Sequence, residues 1–268
     1  MAQVHRYVAI GDSFTEGLDD ELGPDGRHIG WADRVAQRLA DADPGFEYAN
    51  LAIRGRLLAP ILTEQLPTAL TMQPDLITIA GGVNDVLRPR WDLAGMLAAW
   101  DRGLQQARSD GARVIIVTFG QPSGRSRALG SVEARLASYR DGLLALARTH
   151  KCEVVDFWYA SVFDDSRFWA PDRLHLNATG HERVSWAVLE RLGFEVADWL
   201  APLPPEDPAS ALARARGDAA WIGGHLAPWI GRRLVGRSSG DGISPKRPTP
   251  QVVSVTDQAA PSRAGARA

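Results

Sequence analysis

The chain has 268 residues, 45% of them hydrophobic and 23% charged, with a net charge of -2 at pH 7. That length holds one α/β domain with appendages, the composition is that of an ordinary soluble globular protein, and the near-neutral charge speaks against a nucleic-acid partner. The single cysteine, Cys152, excludes an internal disulfide, no stretch approaches the ~18 apolar residues of an integral membrane span, and an amino terminus without an apolar signal core reads as cytoplasmic.

Strand and helix patterns alternate along the chain, which predicts a parallel sheet covered on both faces. The first strand is Tyr7-Val8-Ala9-Ile10, stopped by Gly11 and followed by Asp12-Ser13-Phe14. A polar, Gly-rich loop leads to a helix over about 30–42 with Trp31, Val35 and Leu39 on one face. A short strand follows at 46–52. A helix over about 57–72 comes next and must adapt at Pro60 and Pro67. The third strand is 76–80, closed by Gly81-Gly82. The next helix runs from a cap at Asp92 to Arg108.

Val114 to Phe119, β-branched and ended by Gly120, is the fourth strand, and a capped helix follows over 131–150. The fifth strand is 153–157. An aromatic loop with Trp158, Phe163, Phe168 and Trp169 then leads to Asp172-Arg173-Leu174-His175. The last helix of the domain runs from Asn177 to about Leu192 and ends at Gly193. These elements make a three-layer α/β/α sandwich around a five-stranded parallel sheet, occupying residues 1–194.

Beyond it the pattern changes. A Pro-rich connector and helical extension is expected over 195–236. It carries an apolar stripe (Ile222, Leu226, Ile230, Leu234) suited to packing on the domain or a second copy, or to weak association with a membrane surface over 207–234. From 237 to 268 Gly, Ser, Pro and Arg dominate and apolar periodicity vanishes, so a disordered C-terminal tail is expected.

Four polar stretches fall just past strand ends, where open α/β sheets bind ligands: Gly11-Asp12-Ser13, Asn50 to Gly55, Gly81 to Asp85, and Asp172 to His175. A serine hydroxyl needs a neighbouring base to become a nucleophile, and an imidazole serves near neutral pH. Asp172 and His175, three apart in a loop, let the carboxylate meet Nδ1 and leave Nε2 for Ser13. Attack on an ester carbonyl creates an oxyanion. Candidate donors for it are the backbone N–H groups of Ser13 and Gly55 and the side-chain amide of Asn84. Asp12 and Asp85 read as loop anchors, His181 as structural and Cys152 as a small buried hydrophobe.

Gly11-Asp12-Ser13, Gly55, Gly82-Val83-Asn84-Asp85 and Asp172-Arg173-Leu174-His175 resemble, in order, the four sequence blocks of the SGNH (GDSL-type) hydrolases, over roughly residues 6–192. The resemblance implies a flavodoxin-like sheet in the order 2-1-3-4-5 and cofactor-free ester hydrolysis through an acyl-serine. It implies Ser13 as nucleophile, His175 as base, Asp172 as its orienter, and Gly55 and Asn84 as oxyanion donors. Phe14 stands where the GDSL pattern has leucine, and the Gly-x-Ser-x-Gly elbow of the α/β-hydrolases is absent.

The expected partner is a small-molecule, lipid or carbohydrate acyl ester. Thioesters and lysophospholipids remain open within the same family. Arg88, Arg90, Arg125 and Trp169 sit on the same rim as Ser13, and the arginines suit an anionic ester. Two rival classes are weighed. A metallo-phosphoesterase needs a metal-binding Asp-x-His near the first strand, which His5 and His28 do not supply. A flavodoxin-like binding module would leave Asp172 and His175 without a purpose.

Overall fold

The computed structural model describes residues 4–109, 111–122, 130–206, 240 and 242–253. Five parallel strands form as the alternation predicts: β1 (Arg6–Ile10), β2 (Glu47–Asn50), β3 (Leu76–Ile79), β4 (Arg113–Val117) and β5 (Glu153–Val155). β1 pairs with β2 on one side and with β3 on the other, so the chain reverses its direction of travel across the sheet at β1. The order 2-1-3-4-5 is the one the resemblance implies.

A sixth strand is the departure. β6 (Arg247–Val252) adds antiparallel to the free edge of β2, with Tyr48 opposite Gln251 and a register shift before Asn50. This corrects the expectation of disorder from residue 237 onward, at least for Gly240 and 242–253. The segment Arg-Pro-Thr-Pro-Gln-Val is an edge strand held by main-chain pairing, so it needs no alternating apolar pattern and carries none. Residues 207–236, where the apolar stripe was expected, lie outside the described residues, as do 254–268.

Alternation along β1 divides the core. Tyr7 and Ala9 face a layer made by α2 (Gly30–Ala40) and α8 (Ala178–Leu192), where Trp31, Val35, Val184 and Val188 are buried. Val8 and Ile10 face the opposite layer of α4 (Leu66–Thr71), α6 (Leu93–Ser109) and α7 (Gly130–Thr149), which buries Leu66, Trp100, Leu104, Tyr139 and Leu143. α6 begins behind Asp92, whose Oδ1 accepts the Gly95 N–H at 3.0 Å.

The helix expected over 57–72 is irregular. It is α-helical over α3 (Leu58–Pro60), π-helical over Ile61–Gln65 and α-helical again over α4. The π turn has a use. Gln65, buried inside it, donates its amide to Gly11 O at 3.0 Å and accepts the Gly11 N–H at 2.8 Å. The buried Gly11 N–H is thereby satisfied just before Ser13, and Gly11 O, which also takes the Ile53 N–H at 3.2 Å, gains a second donor.

Candidate active site

β1 ends at Ile10, and the chain turns at once into a four-residue helix, α1 (Ser13–Glu16), which the sequence pattern does not predict. Asp12 caps it, with Oδ1 accepting the Phe14 N–H at 3.1 Å. Ser13 therefore stands at the first helical position, where backbone N–H groups have no intrahelical acceptor. Phe14, the departure from the GDSL pattern, packs its ring 5.7 Å from that of Trp31 and 6.4 Å from that of His181.

His175 comes from the loop between the aromatic stretch and α8. Its Nε2 lies 3.0 Å from Ser13 Oγ, and its Nδ1 lies 2.6 Å from Asp172 Oδ2. Asp172 Oδ1 also accepts the backbone N–H groups of Leu174 (2.9 Å) and His175 (3.0 Å). Burial alone would raise the Asp172 carboxyl, but the hydrogen bonds and charge of His175 and these backbone donors hold it below the usual carboxylate range. An ionised Asp172 accepts and cannot donate, so the proton between them sits on Nδ1, and whenever the ring is neutral Nε2 is the acceptor. A ring held this way can take the hydroxyl proton.

Asp19 adds a second carboxylate 3.5 Å from Nδ1. It has a positive φ of 69° in the loop after α1, and nothing in the residue pattern singled it out. Burial would lower the imidazole pKa. Asp172 and Asp19 outweigh it and push His175 up to about 9. Ligand atoms of Asp19, Asp172 and His175 lie within 4.8 Å of one another. The protonated Nδ1 accounts for that grouping without a cation.

The amide of Asn84, from the short helix α5 (Val83–Val86), donates to Asp12 Oδ2 at 3.1 Å and to the Arg56 carbonyl at 3.2 Å. It thus bridges the Ser13 turn and the turn after β2. Asp12 is buried there, and that burial raises its carboxyl to about 6 against the pull of its hydrogen bonds and of His175. Gly82, just before α5, has φ 92°, and a Cβ there would lie 2.1 Å from Tyr139 Oη, so no other residue fits. Gly55 has φ 72° in the turn after β2. Its neighbour Arg54 donates its backbone N–H to Glu16 Oε2 at 2.6 Å, and its guanidinium pairs with Glu16 Oε1. That contact ties the turn to the far end of α1.

Asp12, Ser13, Asn84 and His175 line one cavity of about 480 Å³, whose remaining wall is mostly apolar and includes Phe119, Leu136, Trp158, Phe163 and Trp169. Trp169 is fixed by its indole N–H, which donates to Phe163 O at 2.7 Å. Of the rim arginines, Arg88 and Arg90 are exposed and do not line the cavity, and Arg125 lies outside the described residues. His181 is buried, its Nδ1 accepting the Trp31 N–H at 3.3 Å, and Cys152 is half-buried. Among the described residues no helix is long and apolar enough to cross a membrane.

A serine, an imidazole and a carboxylate in line at the carboxyl edge of a parallel sheet have the makings of an ester hydrolase. The model of the GDSL-like lipase/acylhydrolase family matches residues 9–183, so the chain belongs to that family and is a carboxylic ester hydrolase. No curated protein matches the sequence.

Solved structures of similar fold include TesA, at 24% identity and a TM-score of 0.59, covering 70% of this chain and 97% of that one. Axe2, an acetylxylan esterase from Geobacillus stearothermophilus, shares 20% identity at a TM-score of 0.61, covering 73% and 95%. LAE5, an alpha/beta hydrolase enzyme from the metagenome of Lake Arreo, Spain, shares 21% at 0.59, covering 70% and 94%.

Proposed function

We propose that the protein hydrolyses acyl esters through a covalent acyl-serine on Ser13, with His175 as general base and then general acid, and Asp172 as its orienter. The observation that carries this is the 3.0 Å approach of Ser13 Oγ to His175 Nε2 inside a largely apolar cavity. As Oγ bonds to the carbonyl carbon, its proton passes to Nε2. The imidazolium then protonates the departing alcohol, leaving the acyl-serine. A water, deprotonated by the same nitrogen, releases the acid and returns the proton to Ser13.

The developing oxyanion is stabilised by the N–H of Ser13, the N–H of Gly55 and the Asn84 amide. Support for Asn84 is its place on the cavity wall beside Ser13, held between Asp12 and Arg56. One of its two amide hydrogens turns from those partners to the oxyanion as charge develops there.

The apolar wall favours an acyl chain of several methylenes over an acetyl group, because each buried CH₂ contributes ~0.8 kcal/mol. The anionic ester that the arginines suggested gains no support from Arg88 and Arg90, which stand outside the cavity. Replacing Ser13 with alanine tests the scheme. We expect kcat to fall by ~10⁴ or more with folding intact; turnover within tenfold of the parent would refute it.

A further inference from the structure

The C-terminal segment carries a lysine that the scheme above does not use. Lys246, just before β6, is 7% exposed at its side chain, and its ammonium sits among backbone and carboxylate oxygens rather than in solvent. Nζ donates to Glu16 O at 2.6 Å, His28 O at 2.9 Å and Ile29 O at 2.5 Å, and it pairs with Asp33 Oδ2. A buried ammonium with only acceptors around it is an anchor. Glu16 O is a carbonyl at the C-terminal end of α1, the end where a cation is favourable. Ser13 is the first residue of that same helix.

The segment reaches the neighbouring turn as well. Gly240 is buried against Arg54, and a Cβ added to it would lie 2.1 Å from the Arg54 carbonyl oxygen. That carbonyl belongs to the peptide joining Arg54 to Gly55. Downstream, Arg247 approaches Asp33 Oδ1 at 3.5 Å, β6 zips along β2, and the Val253 N–H donates to Phe46 O at 3.1 Å. Gly240 and Lys246 therefore bear on both loops from which the nucleophile and one proposed oxyanion donor arise. Glu16 is the point they share, since its side chain holds Arg54 while its carbonyl takes Lys246.

We infer that Lys246 is a positioning residue for catalysis: through Glu16 it fixes the Ser13 helix against the Arg54–Gly55 turn, and the C-terminal strand is a working part of the active site. The inference rests on Ser13 as the nucleophile. Lys246 touches no substrate, so its loss must act on kcat rather than on binding in the apolar cavity. Misplacement of a reacting group by about 1 Å is worth roughly 100-fold in rate.

The test is Lys246→Met in the full-length protein, with Ser13→Ala alongside. We expect kcat to fall by about 10–100-fold while KM for a medium-chain ester stays within about twofold of the parent. The rate at which an organophosphate ester labels Ser13 should fall in parallel. In Lys246→Ala, which leaves space for a small cation, added ethylammonium should restore part of the loss.

A folded Lys246→Met enzyme with parental kcat overturns the inference, as does a loss explained entirely by the unfolded fraction. Should neither Lys246 variant fold, Gly240→Ala decides on the same readouts, because it presses on the Arg54 carbonyl without removing any charge. Parental kcat there also overturns it. Activity in Ser13→Ala would instead defeat the nucleophile assignment, so the two failures are distinguishable.

Discussion

Ser13 Oγ lies 3.0 Å from His175 Nε2 although 162 residues separate them, and the opposite nitrogen of the same ring lies 2.6 Å from Asp172. The imidazole is thus held between a hydroxyl and an ionised carboxylate. Asp172→Asn keeps the shape, but its amide can donate to Nδ1, which would drive the proton to Nε2 and remove the base. We expect kcat to fall by about 10⁴-fold with little change in KM. Circular dichroism checks that the fold is retained, and a loss below tenfold would contradict the orienting role.

The pH profile should carry the mark of both carboxylates. His175 is pushed up to about 9 in the free protein, and only its neutral form can accept the Ser13 proton. kcat/KM is therefore expected to climb with pH, with a midpoint above the ordinary imidazole value of ~6.5. Asp19→Asn removes a charge that stabilises the imidazolium, so the midpoint should move to lower pH. We expect about one pH unit, the small end of such effects, because Asp19 is 38% exposed at its side chain.

Stability should run the other way. A raised folded pKa contributes stability that is complete below ~6.5 and lost as pH rises through about 9, on the order of 3 kcal/mol. Tm should therefore decline between pH 6.5 and 9 and decline less in Asp172→Asn. A flat Tm together with a midpoint at or below 6.5 would contradict this.

Chain length is the readout of the apolar wall. Across acetyl, butyryl, hexanoyl and octanoyl esters of one alcohol, kcat/KM is expected to rise by about fourfold per methylene until the cavity is filled. Leu136→Trp, which narrows the wall, should move the optimum to shorter chains without touching the acetyl rate. An acetyl preference in the unmodified protein would show that the cavity does not receive the acyl chain.

The Gln65 clamp on Gly11 predicts a stability effect with a catalytic echo. Gln65→Leu removes both hydrogen bonds to Gly11 and leaves its buried N–H without a partner, while Gly11 O keeps the Ile53 N–H at 3.2 Å. We expect the fold to weaken by on the order of 1–3 kcal/mol and kcat to drop, because Gly11 leads directly into Asp12 and Ser13. Thermal melts and single-ester kinetics measure both. An unchanged Tm would mean that water or a neighbour supplies those bonds.

Much of this was legible in the sequence. The strands announced themselves through short apolar runs closed by glycine, and the chemistry lay immediately past those ends, so Ser13, Asn84, Asp172 and His175 could be picked out before their distances were known. What escaped shares one physical cause. Gln65, Asp19 and Lys246 act through hydrogen bonds or charge across 54, 156 and 230 residues of chain, to Gly11, His175 and Glu16 respectively, and such contacts leave no periodicity to read. β6 escaped for the same reason, since an exposed edge strand rests on main-chain pairing and prolines are tolerated there. Arginine spacing could place Arg88 and Arg90 on loops past strand ends but not say that they stand outside the cavity, which depends on how those loops fold.

The most direct measurement is covalent. An organophosphate ester incubated with the protein at pH 8 should add one phosphoryl group, which peptide mass spectrometry should locate on Ser13, in step with loss of esterase activity. The adduct should be absent from Ser13→Ala and form far more slowly in His175→Ala. Modification at another serine, or an unmodified Ser13 in fully inactivated enzyme, would contradict the account.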